Sequence, residues 1–193
     1  MGDTRRFKKT YARPLKPWDE TRIAEDKKLI NAYGLKNKRE ILKAETMLRA
    51  FKAQAKKLIA TKGKQAEKEK QQLLTRLMSL GLTSQTSDLD TVLGITINNV
   101  LDRRLQTLVH NKKLARSIVQ ARQFIVHEHI LVNGKKIAVP SYLVKKGEED
   151  AIAFADESAL SSLTHPERMQ KKAETPTDTE STESVAETKE ATA

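Results

Sequence analysis

With 193 residues, no cysteine and a formal net charge of +11, the chain has room for one or two small domains. That composition excludes disulfides, thiolate metal sites and a cysteine nucleophile, and it favours an anionic partner. Hydrophobic residues make up 38% and aromatics 4%, so the core is modest and part of the order is expected to come from a partner. No apolar run approaches the roughly 18–20 residues that span a bilayer. The basic start MGDTRRFKKTYARP lacks the apolar stretch of a secretory signal, so a cytoplasmic protein without membrane contact is expected.

In chain order, residues 1–18 form a basic arm carrying Arg5, Arg6, Lys8, Lys9 and Arg13, with Pro14 and Pro17 opposing helix and Tyr11 and Trp18 offering aromatic faces. Such an arm can follow phosphates and order on contact. Residues 19–90 are expected to be a helical subdomain. Asp19 is placed to cap a helix over about 20–33, and Gly34 to end it. A second helix over about 38–61 carries Ile41, Ala44, Leu48, Phe51, Ala55 and Leu58 at spacings of 3, 4, 3, 4 and 3. A third, over about 64–80, carries Leu73, Leu77 and Leu80. The short joint Thr61-Lys62-Gly63 makes these two antiparallel neighbours. Residues 82–90 are polar and read as a linker.

Residues 91–157 are expected to form a compact module. Its first helix spans about 96–110 from a Thr96 cap, and its second about 115–127. Strands follow near 130–132, 136–139, 142–144 and 151–154. Asn133-Gly134 predicts a tight hairpin turn, because both central residues of that turn need positive φ. The fold class is therefore α+β: a helical N-terminal subdomain, then two helices packed on a small antiparallel sheet. Residues 158–193 are an extension and tail. After Gln170 the tail has six acids against three basic residues and is expected to be disordered.

Between Leu101 and Lys136 stand eight basic residues against two acids. Lys113, Arg116, Gln120, Gln123 and His127 recur at spacings of 3, 4, 3 and 4, which on one helix makes a polar stripe. Leu114, Ile118, Ala121 and Ile125 make the apolar one. Positive charge beside amide groups suits folded RNA. Arginine contacts phosphate as a planar fork whereas lysine acts as a point charge, which ranks Arg103, Arg104, Arg116 and Arg122 above Lys112, Lys113, Lys135 and Lys136. Arg103 and Arg104 lie about 100° apart on a helix, so one can face RNA while the other braces the fold. Arg122 lies off the stripe, and a structural pairing for it stays open. Lys112 and Lys113 fall between the helices, and Lys135 and Lys136 flank the hairpin tip. Gln120 and Gln123 can read sugar hydroxyls or base edges, and His127 and His129 can stack on a base or bond a phosphate.

The runs Leu101-Asp102-Arg103-Arg104-Leu105, Ala115-Arg116-Ser117, Gln120-Ala121-Arg122 and Val132-Asn133-Gly134 resemble the RNA-binding domain of the small-subunit ribosomal protein S-four family. Upstream, the run from Leu29 to Glu40 resembles the N-terminal region of its archaeal and eukaryotic members. The resemblance implies an archaeal-type primary binder of small-subunit ribosomal RNA that nucleates assembly of the subunit body. It also implies contact with small-subunit ribosomal protein five and a part in translational accuracy. The N-terminal cysteine zinc cluster of some members has no counterpart here. The alternative is an accessory RNA-binding or RNA-modifying protein using the same module. Phosphate loops and nucleophile elbows are absent, and the spacing of His110, His127 and His129 does not make a zinc site, so no catalysis, metal, cofactor or small-molecule substrate is expected.

Overall fold

The computed structural model describes residues 9–84, 88–162 and 165–167. Arg5, Arg6, Lys8 and the acidic tail after Gln170 lie outside the described residues. Helix α1 (Glu20–Tyr33) ends at Gly34, whose φ of 56° is the left-handed stop its position predicts. Asp19 occupies the N-cap position, but its carboxylate accepts from the Thr21 hydroxyl at 3.0 Å instead of from a helix amide. Helix α2 (Lys38–Ala60) is capped by Asn37, whose side chain accepts from the Arg39 amide at 3.0 Å. The 3-4 spacing buries Ile41, Ala44, Phe51, Ala55 and Leu58 along one face of α2. Helix α3 (Lys64–Ser79) turns back against it and buries Leu73 and Leu77. Arg76 of α3 lies 5.5 Å over the Phe51 ring, adding a cation–π contact to this hairpin.

The polar stretch read as a linker does not end at residue 90. Helix α4 (Leu89–Gly94) begins within it, buries Leu89 and Val92, and packs on α2. The expected single helix over 96–110 is two: α5 (Ile97–Asp102) and α6 (Leu105–Asn111). The chain breaks at Arg104, which is extended and bridges Leu143. Leu105 N–H donates to the Tyr142 carbonyl at 2.8 Å and Val144 N–H to the Arg103 carbonyl at 3.0 Å, so backbone pairing has displaced helical bonding there. The expected strand at 142–144 is spent on this bridge and does not join the sheet.

Helix α7 (Ile118–Val126) begins three residues later than expected, after Ser117, whose hydroxyl accepts from the Gln120 amide at 3.1 Å. The hairpin of β1 (Ile130–Val132) and β2 (Lys135–Lys136) turns through Asn133 and Gly134, with φ of 50° and 73° as expected. β2 is shorter than the predicted 136–139. β3 (Ile152–Phe154) pairs antiparallel with β1 on its other side, giving the order β2-β1-β3.

Two hydrophobic clusters result. The first runs from Leu35 to Leu101 and unites the N-terminal helices with α4 and α5. The second runs from Leu105 to Leu160 and packs α6 and α7 against the sheet. Packing therefore divides the chain between Leu101 and Leu105, later than the change of composition near residue 90.

Candidate nucleic-acid interface

Three of the four favoured arginines point inward. Arg104 is 4% exposed, and its guanidinium meets Glu40 of α2 at 2.5 Å. Arg122 reaches the other oxygen of the same carboxylate at 2.8 Å and the Gln106 amide oxygen at 3.3 Å. Gln106, 1% exposed, donates to the carbonyls of Gly34 and Ile118 at 3.1 and 3.0 Å. Burial alone would raise the Glu40 carboxyl, but the hydrogen bonds and charges of Arg122 and Arg104 hold it below the ordinary carboxylate value. A Cβ on Gly34 would stand 2.7 Å from Ile118 Cγ2, so the absence of a side chain lets the helical subdomain approach α7.

Arg103 braces the same junction from another side. It pairs with Glu149 at 2.5 Å and donates to the Val144 carbonyl at 3.0 Å. Its guanidinium carbon lies 2.9 Å from where a Cβ of Gly81 would be. Tyr33 of α1 donates to Asp102 at 2.9 Å; burial together with that hydrogen bond and the Asp102 charge pushes the phenol up to about 12. Asp102 thus holds α1 to α5.

The remaining candidates lie outward. Lys113 adopts φ 57° in the turn closing α6 and is exposed. Lys112 bonds the Glu149 carbonyl and lies 3.9 Å from Asp150. Arg116 precedes α7 and contacts the Pro166 carbonyl. The polar stripe expected from Lys113 to His127 is therefore not continuous: helix carries only Gln120 and Gln123, while Lys113 and Arg116 approach from a loop. Gln120 is also partly engaged, since its oxygen accepts from the Arg116 amide, just before the Ser117 cap, at 2.8 Å. Its Nε2 donates to the Glu167 carbonyl at 3.3 Å. Gln123 and His127 are exposed further along α7. His129 is half-buried, with Nδ1 2.9 Å from the Ser158 hydroxyl.

At the hairpin tip Lys135 is exposed, and Lys136 meets Glu157 at 2.5 Å. That exposed pair is of the weak, solvent-screened kind that a phosphate can replace. Lys9 and Arg13 of the arm are exposed, and the arm is tethered where Ala12 N–H donates to Thr46 of α2 at 3.0 Å. Among the described residues no cluster of His, Asp or Glu has a geometry that would hold a metal ion. No helix among them is long and apolar enough to cross a membrane.

Glu40 and Gln106 went unnoticed in the sequence. Asn37 and Glu40 stand at the spacing of a capping box, so the pattern points Glu40 at its own helix end and carries no sign of two arginines that arrive from 64 and 82 residues away.

Two helices on a three-stranded antiparallel sheet, edged by a basic loop and a basic hairpin tip, define an RNA-binding module. The S4 domain, an RNA-binding domain, matches residues 103–150, starting where the two cores part. The similarity to whole proteins extends much further. The chain is 53% identical over 169 residues to small ribosomal subunit protein uS4 of Methanococcus aeolicus, covering 87% of this chain and 96% of that protein. It is 46% identical over 173 residues to the uS4 protein of Nanoarchaeum equitans, with 88% and 96% covered. It is 44% identical over 160 residues to that of Methanothermobacter thermautotrophicus, with 83% and 94% covered. The chain belongs to the small ribosomal subunit protein uS4 family, whose members here are ribosomal proteins and not enzymes.

Proposed function

We propose that this chain is a structural component of the small ribosomal subunit and binds small-subunit ribosomal RNA along the edge formed by residues 112–116, the exposed face of α7 and the hairpin tip. The division of labour among the basic residues carries this reading. Arg103, Arg104 and Arg122 are used inside to fix the two cores against each other. Lys113 and Arg116 are presented outside on the loop before α7, and Lys135 and Lys136 on the strand that leaves the hairpin turn. A polyanion meeting such an edge releases counterions at each neutralised phosphate, while the fixed spacing of the cations selects RNA shape. Lys9 and Arg13 extend the positive surface along the arm, and Arg5, Arg6 and Lys8 precede them in the sequence as further candidate contacts.

By the same reading the chain works in the ribosome in the cytoplasm, nucleates assembly of the subunit body, contacts small-subunit ribosomal protein five and contributes to translational accuracy. Those finer roles rest on family membership. The test is affinity for the 5′ domain of small-subunit ribosomal RNA against an unrelated folded RNA of equal length, across a salt series. A preference of about a hundredfold that persists as salt rises supports the reading. Equal affinities collapsing together, each with a slope of roughly 0.7–0.9 log units per phosphate contacted, would leave only a generic polybasic binder.

A further inference from the structure

A cavity of about 190 Å³ opens where the C-terminal end of α7, the start of β1 and the segment after β3 meet. Gln123, His127, His129, Leu160, His165 and Glu167 make most of its wall. The His129 ring is fixed on two sides: Nδ1 lies 2.9 Å from the Ser158 hydroxyl, and the ring stands edge-on to Phe124 at 6.3 Å and 85°. Phe124 is itself braced by Phe154 at 6.0 Å. The His127 ring, exposed at the end of α7, lies 6.3 Å from that of His129 at a tilt of 41°. One imidazole is thus held rigid and the other is placed to close over whatever enters. A fixed aromatic plane loses little freedom on stacking, which favours binding.

The lining also narrows the ligand. Phe124, Ala159 and Leu160 give the lining an apolar share, and its one acid among the described residues is Glu167, a composition poorly matched to phosphate. The His, Asp and Glu of the described residues form no metal-holding group. What fits is a neutral, flat heterocycle with donors and acceptors on its rim, since the Gln123 amide offers both. Gln120 and Gln123 follow each other along α7 towards the cavity, and Arg116 precedes the helix.

We infer that this cavity receives one unpaired nucleobase of the bound RNA, stacked on the imidazoles and hydrogen-bonded by the Gln123 amide. The inference rests on the RNA-binding reading above and adds to it a place where a base, and not only the backbone, is held. Because every base has a stacking face, the site distinguishes base from no base more than one base from another.

The experiment follows the histidine ring signals of the full chain by NMR during titration with a single-stranded cytidine hexamer, an abasic hexamer with the same number of phosphates, and inorganic phosphate. The cytidine hexamer should move the His127 and His129 signals, leave that of His110 in place, and bind at least ~5-fold more tightly than the abasic strand. Gln123→Ala and His127→Ala, both at exposed positions, should abolish the preference for the cytidine hexamer over the abasic strand. If both hexamers bind equally and the ring signals stay still, the base site is wrong and the RNA-binding reading stands. If phosphate alone moves the same signals, the cavity is an anion site and the inference fails. Binding of neither hexamer would overturn both.

Discussion

Glu40 and Arg104 meet at 2.5 Å across 64 residues of sequence, one at the start of α2 and the other at the break between α5 and α6. Arg122 closes the group from α7 at 2.8 Å, so a single carboxylate pairs with two guanidiniums brought from the second core. With side chains 16% and 5% exposed, Glu40 and Arg104 form a pair whose worth lies mainly in what its loss would leave behind: an uncompensated charge between two subdomains.

Glu40→Gln should therefore destabilise the protein by about 3 kcal/mol, read as a lower urea midpoint. Arg122→Lys should cost less, because a point charge keeps the attraction but loses the fork that also reaches Gln106. A Glu40→Gln variant as stable as the parent would show that the triad does not hold the two cores together.

The same carboxylate gives the protein an acid limit. Its folded value lies below its ordinary 4.5, so its contribution is fully present above that value and is lost as pH falls through the folded one. Stability should decline below about pH 4.5, and Glu40→Gln should flatten that decline. Parallel curves for the two proteins would assign acid unfolding to other carboxylates.

Outward and inward cations should separate cleanly in mutagenesis. Lys113→Ala with Arg116→Ala should weaken RNA binding by about tenfold at moderate salt and lower the salt slope, while shifting stability by no more than about 0.5 kcal/mol per exposed site. Arg104→Ala should do the reverse, lowering the melting temperature while leaving the salt slope of the folded protein unchanged. Loss of the slope in Arg104→Ala would place that residue on RNA.

Gly34→Ala should be costly for two reasons. The residue adopts φ 56°, and the added Cβ would meet Ile118 Cγ2 at 2.7 Å. A loss of roughly 1–2 kcal/mol from the left-handed backbone alone is expected, with faster amide exchange at the start of α7 as that helix is pushed away. Unchanged exchange there would mean that the contact is absorbed elsewhere.

Elements ruled by local periodicity were legible in the sequence. The α2 stripe, the α2–α3 hairpin, the Gly34 stop and the Asn133-Gly134 turn depend on neighbours within a few residues. The helix expected over 96–110 breaks at Arg104 because of Leu143, a partner 39 residues downstream that no local spacing reveals. α7 starts later than expected for a local reason: Ser117-Ile118-Val119-Gln120 is a cap signature, but the continuous polar spacing from Lys113 masks it. β2 ended early although its residues alternate suitably, and Val139 stands 53% exposed.

The sequence by itself determined that this protein is basic, cysteine-free and suited to RNA, because charge and apolar spacing are properties of the chain. Which cations stay exposed was decided only by the tertiary structure. Arg104 and Arg116 are alike as residues, and burial tells them apart. One lies against a carboxylate from a distant helix, where leaving water is offset by pairing, and the other lies exposed before α7.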